Sequence, residues 1–388
     1  DGHAYNVAIG HAAGTSVTSG TRNTLIGGLT GDALTSGYYN TALGYQALSS
    51  SVSGRNAVAI GYQALSNENS TNTETYNVAV GYTAGSQIST GIRNTLIGGL
   101  AGDALTTGND NTAVGYAALS TEDTDGRNVA IGMNALSSLN AGAHGNNTAV
   151  GYTSGALLTT GVQNVIIGAA AGDALTEGSN NIAIGFNALG SSDTDARNVA
   201  IGTRALEDQD AGNNTYNTAI GYEAGKQVTT GVQNTTVGAA AGDALTTSSE
   251  NTALGYTALG SATTSARNTA IGTAALGSGV MNTDSNTYNT AVGFHAGLNV
   301  STGVENVLIG AQAGDALTTG GKNVVIGTYA LSNENEHGNN VAIGWKALQD
   351  QDAGADAYNV AVGYQAGKEV TTGVQNTLIG GLAGDALT

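Results

Sequence analysis

The chain has 388 residues, with 60 Gly, no Pro, no Cys and a net charge of -18. The absence of Cys excludes a disulfide framework and thiolate metal sites. Eleven Lys and Arg against 29 Asp and Glu leave no basic stripe for nucleic acid and too few cations for an anionic membrane surface, and no apolar run reaches the roughly 18 residues that a membrane span needs.

From the N-terminus onward, one five-residue phrase, Asn-x-x-aliphatic-Gly, keeps returning. It opens at Asn6, Asn23, Asn40, Asn77, Asn94, Asn111, Asn128, Asn147, Asn164, Asn181 and Asn198, and continues to Asn376. With Asn56, whose copy carries one extra residue, there are 22 copies. Most steps between closing glycines are 17 residues, and every fourth is 19 to 21. Four rungs therefore make a super-repeat of 70 to 72 residues: about 5–75, 76–145, 146–215, 216–287 and 288–357, with a partial sixth at 358–388. A single array over 1–388 is expected, with no linker or composition break. Beginning at Asp1, the chain reads as a mature product or an excerpt of a longer one.

The four rungs of a super-repeat differ in order. The first runs Tyr222-Glu-Ala-Gly-Lys-Gln-Val-Thr-Thr-Gly231 in one copy. The second carries Gly-Asp-Ala-Leu-Thr, with its acid at Asp32, Asp103, Asp173, Asp243, Asp315 and Asp385. The third and fourth carry Ala-Leu soon after the Gly, as at Ala118-Leu119 and Ala135-Leu136, and the fourth has the longer loop.

Positions two and four of the phrase are mostly Val, Thr, Ile or Leu, which suit a strand. No pentapeptide is charged, although 10% of the chain is. Buried strands are therefore expected. Helix is excluded by the recurring Gly and the short apolar runs. Equal rungs with one strand at a fixed phase predict an all-β fold, a parallel β-solenoid (β-roll) of about 22 rungs of 17–21 residues. At roughly 4.8 Å per rung the expected rod is on the order of 100 Å long. The extra residues of each fourth rung should bulge outward without shifting the next strand.

Both faces of the strand are largely apolar, as at Leu25 between Thr24 and Ile26. One face is covered by the coil itself. Covering the other with further copies predicts a self-associating, homotrimeric rod. The Asn of each rung is expected to bond nearby backbone and to stack as an amide ladder. The closing Gly permits a positive φ or a close backbone approach.

The N-T-A-V-G and N-V-A-I-G phrases resemble the head repeats of trimeric autotransporter adhesins. The N-T-A-I-G-Y and A-L-x-x-x-T-T-G phrases resemble repeats of bacteriophage tail fibres even more. The resemblance covers essentially the whole chain and implies a β-roll packed as a trimer, extracellular, at a cell surface or on a virion. The rung is longer here than in the adhesin heads. Neither an adhesin's membrane anchor nor a fibre's chaperone domain lies in this segment.

Candidate chemistry is sparse. Acids of the Gly-Asp-Ala-Leu motif lie four rungs apart, roughly 19 Å, too far to share a metal. Each is expected to close its own turn through an Asx bond. A cation site shared between copies and structural calcium in the loops around Glu122, Asp123, Asp125, Asp208 and Asp210 are the alternatives; no other cofactor is expected. Arg127 and Arg197 should make local ion pairs on a solvated edge. The five histidines share no repeat position, so no catalytic or metal constellation is expected. Thr pairs such as Thr159-Thr160 and Thr229-Thr230 raise an ice-binding face, which Gly corners interrupt. After the closing Gly come Tyr45, Tyr82, Tyr116, Tyr152, Tyr222, Tyr256, Trp345 and Tyr364, with small residues at that place in second rungs. Interdigitated packing is the first reading of this row, and a glycan-stacking surface the second.

The expected function is structural and non-catalytic: a stiff shaft, self-associating and open to end-to-end filament growth, whose rim could touch a receptor or glycan. The alternative is a cell-surface trimeric adhesin or an extracellular filament subunit binding host, matrix or glycans. A solenoid polysaccharide lyase would need a distinctive cleft on a few rungs, and these rungs are nearly equivalent.

Overall fold

The computed structural model describes every residue except 1–3, 72, 125 and 143. The chain is all-β: 22 three-residue parallel strands recur about every 17 residues and form a parallel β-solenoid of about 22 turns. It divides into two compact units, Asp1–Ala196 and Arg197–Thr388.

In the first unit eleven strands run from β1 (Val7–Ile9) to β11 (Ile182–Ile184), each paired in parallel with the next. In the second, eleven run from β12 (Val199–Ile201) to β22 (Thr377–Ile379) in the same way. The register survives the long steps. Val58 pairs with Val78 across twenty residues, and Thr269 with Thr290 across twenty-one. The added residues thus leave the strand phase intact.

Let each turn be numbered from its buried Asn as position 1. Position 3, usually Ala, points inward and is fully buried, as at Ala79, Leu96 and Ala113. Positions 2 and 4 point outward and remain half-exposed or exposed. The expectation of fully buried strands therefore holds only for the middle residue. One chain cannot cover the outer face of its own sheet.

Core volume explains the four-turn super-repeat. First and second turns place Gly at position 9, with φ near +57°, and third and fourth turns place Leu there. The second turn compensates with a larger residue at position 3. A Cβ on Gly102 would lie 2.7 Å from Leu96 Cδ2, and one on Gly85 would lie 2.7 Å from Leu96 Cδ1 and 3.0 Å from Leu65 Cδ2. Leu96 therefore fills the space over two glycines, and Leu65 reaches in from the turn before.

The closing Gly at position 5 has a firmer reason. Gly98 has φ +138°, and a Cβ there would stand 2.4 Å from the Gly115 carbonyl oxygen of the next turn. Beyond glycine, the corners use ordinary side chains in the left-handed region, such as Leu100, Leu119 and Arg93. Such residues cost about 1–2 kcal/mol each. Bonds between turns offset that cost: Leu100 N donates to Tyr82 O at 2.9 Å, and Arg93 N to Thr75 O at 2.7 Å.

Candidate functional site

The position-1 Asn residues are the most regular polar feature. In the first unit Asn23 N donates to Asn6 Oδ1 at 2.9 Å, and Asn23 Nδ2 donates to Gly37 O at 2.9 Å. Asn40 repeats the pattern on Asn23 and Gly54. Asn94 N bonds Asn77 Oδ1, Asn111 N bonds Asn94, and Asn128 N bonds Asn111. Asn147, Asn164 and Asn181 continue upward at 2.9–3.0 Å. In the second unit Asn198 Oδ1 accepts from Asn217 N at 3.0 Å and from Thr215 Oγ1 at 2.6 Å. The side chain thus pairs mainly with backbone. Its oxygen takes the next strand's opening amide, and its nitrogen takes a corner carbonyl fourteen residues on. Amide-to-amide contacts run beside these at 3.1–3.3 Å.

Asn56 is not part of this row. Ala57 occupies position 1 of its turn, and Ala57 N donates to Asn40 Oδ1 at 3.0 Å. Asn56 sits one residue earlier with φ +59°. The row is therefore broken once, where a backbone amide is still served but no side chain passes the pattern on.

The aromatic row stands at position 6 on the outer surface. Tyr45, Tyr62 and Tyr82 form a continuous stack with centroids 5.7 and 5.3 Å apart, and Trp345 stacks on Tyr364 at 5.0 Å. Tyr116, Tyr152, Tyr222 and Tyr256 are each 55–61% exposed, as are Tyr82 and Tyr364 at the ends of these stacks. Their neighbours in the row are Gly99, Met133, Ala169, Thr203, Ala239 and Thr273. These rings pack against one another where they are adjacent and stand in solvent where they alternate with smaller residues.

On the opposite flank, at position 17, Arg, Tyr and acids pair between turns. Arg93 bonds Asp110 through Nε at 2.5 Å and Nη2 at 2.9 Å, holding the Asp110 carboxyl below its ordinary range. Arg267 joins Glu250 at 2.8 Å and the Tyr288 hydroxyl at 2.8 Å. Arg197 donates to the Tyr216 hydroxyl at 2.6 Å and stacks over its ring. This contact reaches across turns because equivalent positions of neighbouring turns lie only about 4.8 Å apart.

The Gly-Asp-Ala-Leu acids are half-buried. Burial pushes the carboxyls of Asp103, Asp173, Asp243 and Asp315 above the ordinary range, against the pull of each one's own backbone amide. One oxygen, Oδ1, of Asp32, Asp103, Asp243 and Asp315 is out of solvent and has no hydrogen-bond partner. The expected Asx closure thus engages only part of each carboxylate. The first Thr of each pair is also committed: Thr159 Oγ1 donates to Thr176 O at 3.0 Å and Thr229 Oγ1 to Thr246 O at 3.2 Å.

Position 12 holds buried polar groups that the repeat pattern hides. First and second turns fill this corner with Val, Leu or Ile, such as Ile88, Leu105 and Val228, whereas Glu68, Glu122, Gln209, Glu334 and Gln351 occupy it in some of the other turns. Desolvation raises the Glu68 pKa, and bonds from Ser51 and Ser70 pull it back. Glu334 accepts from Asn335 N, His337 N, Gln351 Nε2 and Ala353 N at 3.1–3.3 Å. Its Oε1 is also 3.3 Å from His337 Nδ1, and Asp352 completes a group whose candidate ligand atoms lie within 4.8 Å of one another. No shared repeat position announces this group. It is the one such group among the described residues. With four donors and the imidazole on its carboxylate, Glu334 acts as a loop anchor. The signal for it was a Glu at a repeat position that first and second turns keep aliphatic.

Compared with known protein families and with curated proteins, the chain matches none.

Proposed function

We propose that the chain is a structural, non-catalytic fibre protein: a stiff extracellular or virion-borne shaft in which copies pack through their outer sheet faces, three to an assembly. The observation that carries this reading is the repetition, turn after turn, of one outward aliphatic residue at position 4. Ile97, Ile131, Ile167, Ile220, Leu254 and Ile309 at position 4 are 36–45% exposed. A continuous apolar face of this kind marks an association surface. Its neighbour at position 2 is Val, Thr or Ile, which adds no charge. Mechanical stiffness follows from turns that each bond only their neighbours, so that their contributions add along the chain. A cell-surface adhesin or an extracellular filament subunit would use the same coil and the same face.

The test is a charge on that face. Ile220→Asp should abolish assembly in sedimentation while leaving the β circular dichroism intact, because Ile220 is not in the coil core. Unchanged assembly by a folded variant would contradict packing through this face.

A further inference from the structure

We propose that the position-6 row carries saccharide-binding slots, each formed by two aromatic walls two turns apart and a small residue at the floor between them. The inference goes beyond the shaft reading and does not depend on it, since every slot is complete within one unit of one chain.

In the first unit Tyr82 and Tyr116 flank Gly99, and Tyr152 and Phe186 flank Ala169. In the second unit Tyr222 and Tyr256 flank Ala239. Walls two turns apart stand roughly 10 Å from each other, since neighbouring strands are about 4.8 Å apart. A single ring placed between them lies about 5 Å from each wall, inside the 4.5–7 Å range at which ring faces stack. The Tyr45–Tyr62–Tyr82 stack shows the same row with that middle place filled: Tyr62 lies 5.7 and 5.3 Å from its neighbours, nearly parallel to both. Tyr62 is 42% exposed, whereas Tyr82 and Tyr116 beside Gly99 are 59% and 55% exposed. The slot is therefore a stack with its middle ring missing.

The chemistry selects a pyranose. Its C–H face suits an aromatic wall, and its hydroxyl edge needs polar groups at the rim. The residue after each wall supplies several. Asn187 follows Phe186 and Thr257 follows Tyr256. Glu223 follows Tyr222, with Arg204 Nη1 at 3.5 Å and Lys226 Nζ at 3.6 Å from its Oε1. The net charge of -18 disfavours an anionic occupant, so the sugar is neutral or amino-substituted. Slots at Gly99 and Ala169 are four turns apart, roughly 19 Å, so a branched or multivalent glycan can engage more than one.

The experiment is a neutral-glycan array, with saturation-transfer NMR on methyl pyranosides, applied to the full chain and to a variant with all three floors filled: Gly99→Tyr, Ala169→Tyr and Ala239→Tyr. The substitutions are sterically open, since a Cβ on Gly99 meets nothing nearer than Tyr116 Cδ2 at 3.6 Å. The expected result is saccharide binding by the natural chain, loss of it in the filled variant, and unchanged circular dichroism and melting. No pyranoside signal from the natural chain overturns the proposal. Equal binding by a folded, filled variant overturns it too. Altered sedimentation of the filled variant without any saccharide signal assigns the row to contact between copies, and likewise overturns it.

Discussion

Asn164 shows what one side chain does in this coil. It is fully buried, its Oδ1 takes Asn181 N at 2.9 Å, and its Nδ2 serves Gly178 O at 2.9 Å. Asn164→Leu strands both partners without water, at about 1–3 kcal/mol each. Thermal melting should fall by several degrees, whereas Ser191→Ala, on an exposed loop, should move stability by less than about 0.5 kcal/mol; equal effects would remove the Asn row from the account. The half-buried acids make a second prediction. Burial raises the pKa of Asp103, so the folded chain holds that proton more tightly than the unfolded chain. Its carboxylate therefore lowers stability at neutral pH, and the loss is relieved as the pH falls through its raised pKa. Asp103→Asn should raise the melting temperature at pH 7 and flatten its dependence on mild acidification; a lower melting temperature at pH 7 would contradict this. Residue roles were unevenly legible in the sequence. The recurring Asn announced its place, and the one-residue insertion at Asn56 shows why that copy differs: a half-buried Asn stands just before the fully buried position, which Ala57 takes. Glu334 was hidden because its partners come from the backbone of its own loop and from Gln351 one turn later.

At the scale of a single turn, the strand phase and the outward bulge of long loops could be read from spacing alone, because a period-two strand tolerates no slip without exchanging its faces. The reason for four kinds of turn could not. It lies in volumes that meet across turns: Leu96 over Gly85 and Gly102, with Leu65 arriving from the other side. Leu96→Ala should open a cavity and cost about 2–5 kcal/mol. Gly98→Ala should do more damage for a smaller change, since its Cβ has no room beside the Gly115 carbonyl and its φ of +138° suits glycine alone. Denaturant melts of the two variants check the order; a milder effect of Gly98→Ala would contradict the stacked-glycine corner. The left-handed Leu, Arg and Gln residues at other corners also escaped the sequence, because their strain is offset by bonds to neighbouring turns rather than by residue type.

Over the whole molecule, the composition acquires a physical meaning. Glycine is abundant because within each unit successive turns stack one closing Gly on the next, and charge is scarce because the sheet keeps it off both faces. What the coil cannot do alone is cover the outward rows of Val, Thr, Ile and Leu. The shaft proposal supplies that cover with further copies of the same chain. Sedimentation equilibrium of the purified chain at neutral pH tests this most directly. The proposal expects a species of three times the 38.2 kDa chain mass that persists on dilution, and a single stable species of 38.2 kDa would contradict it.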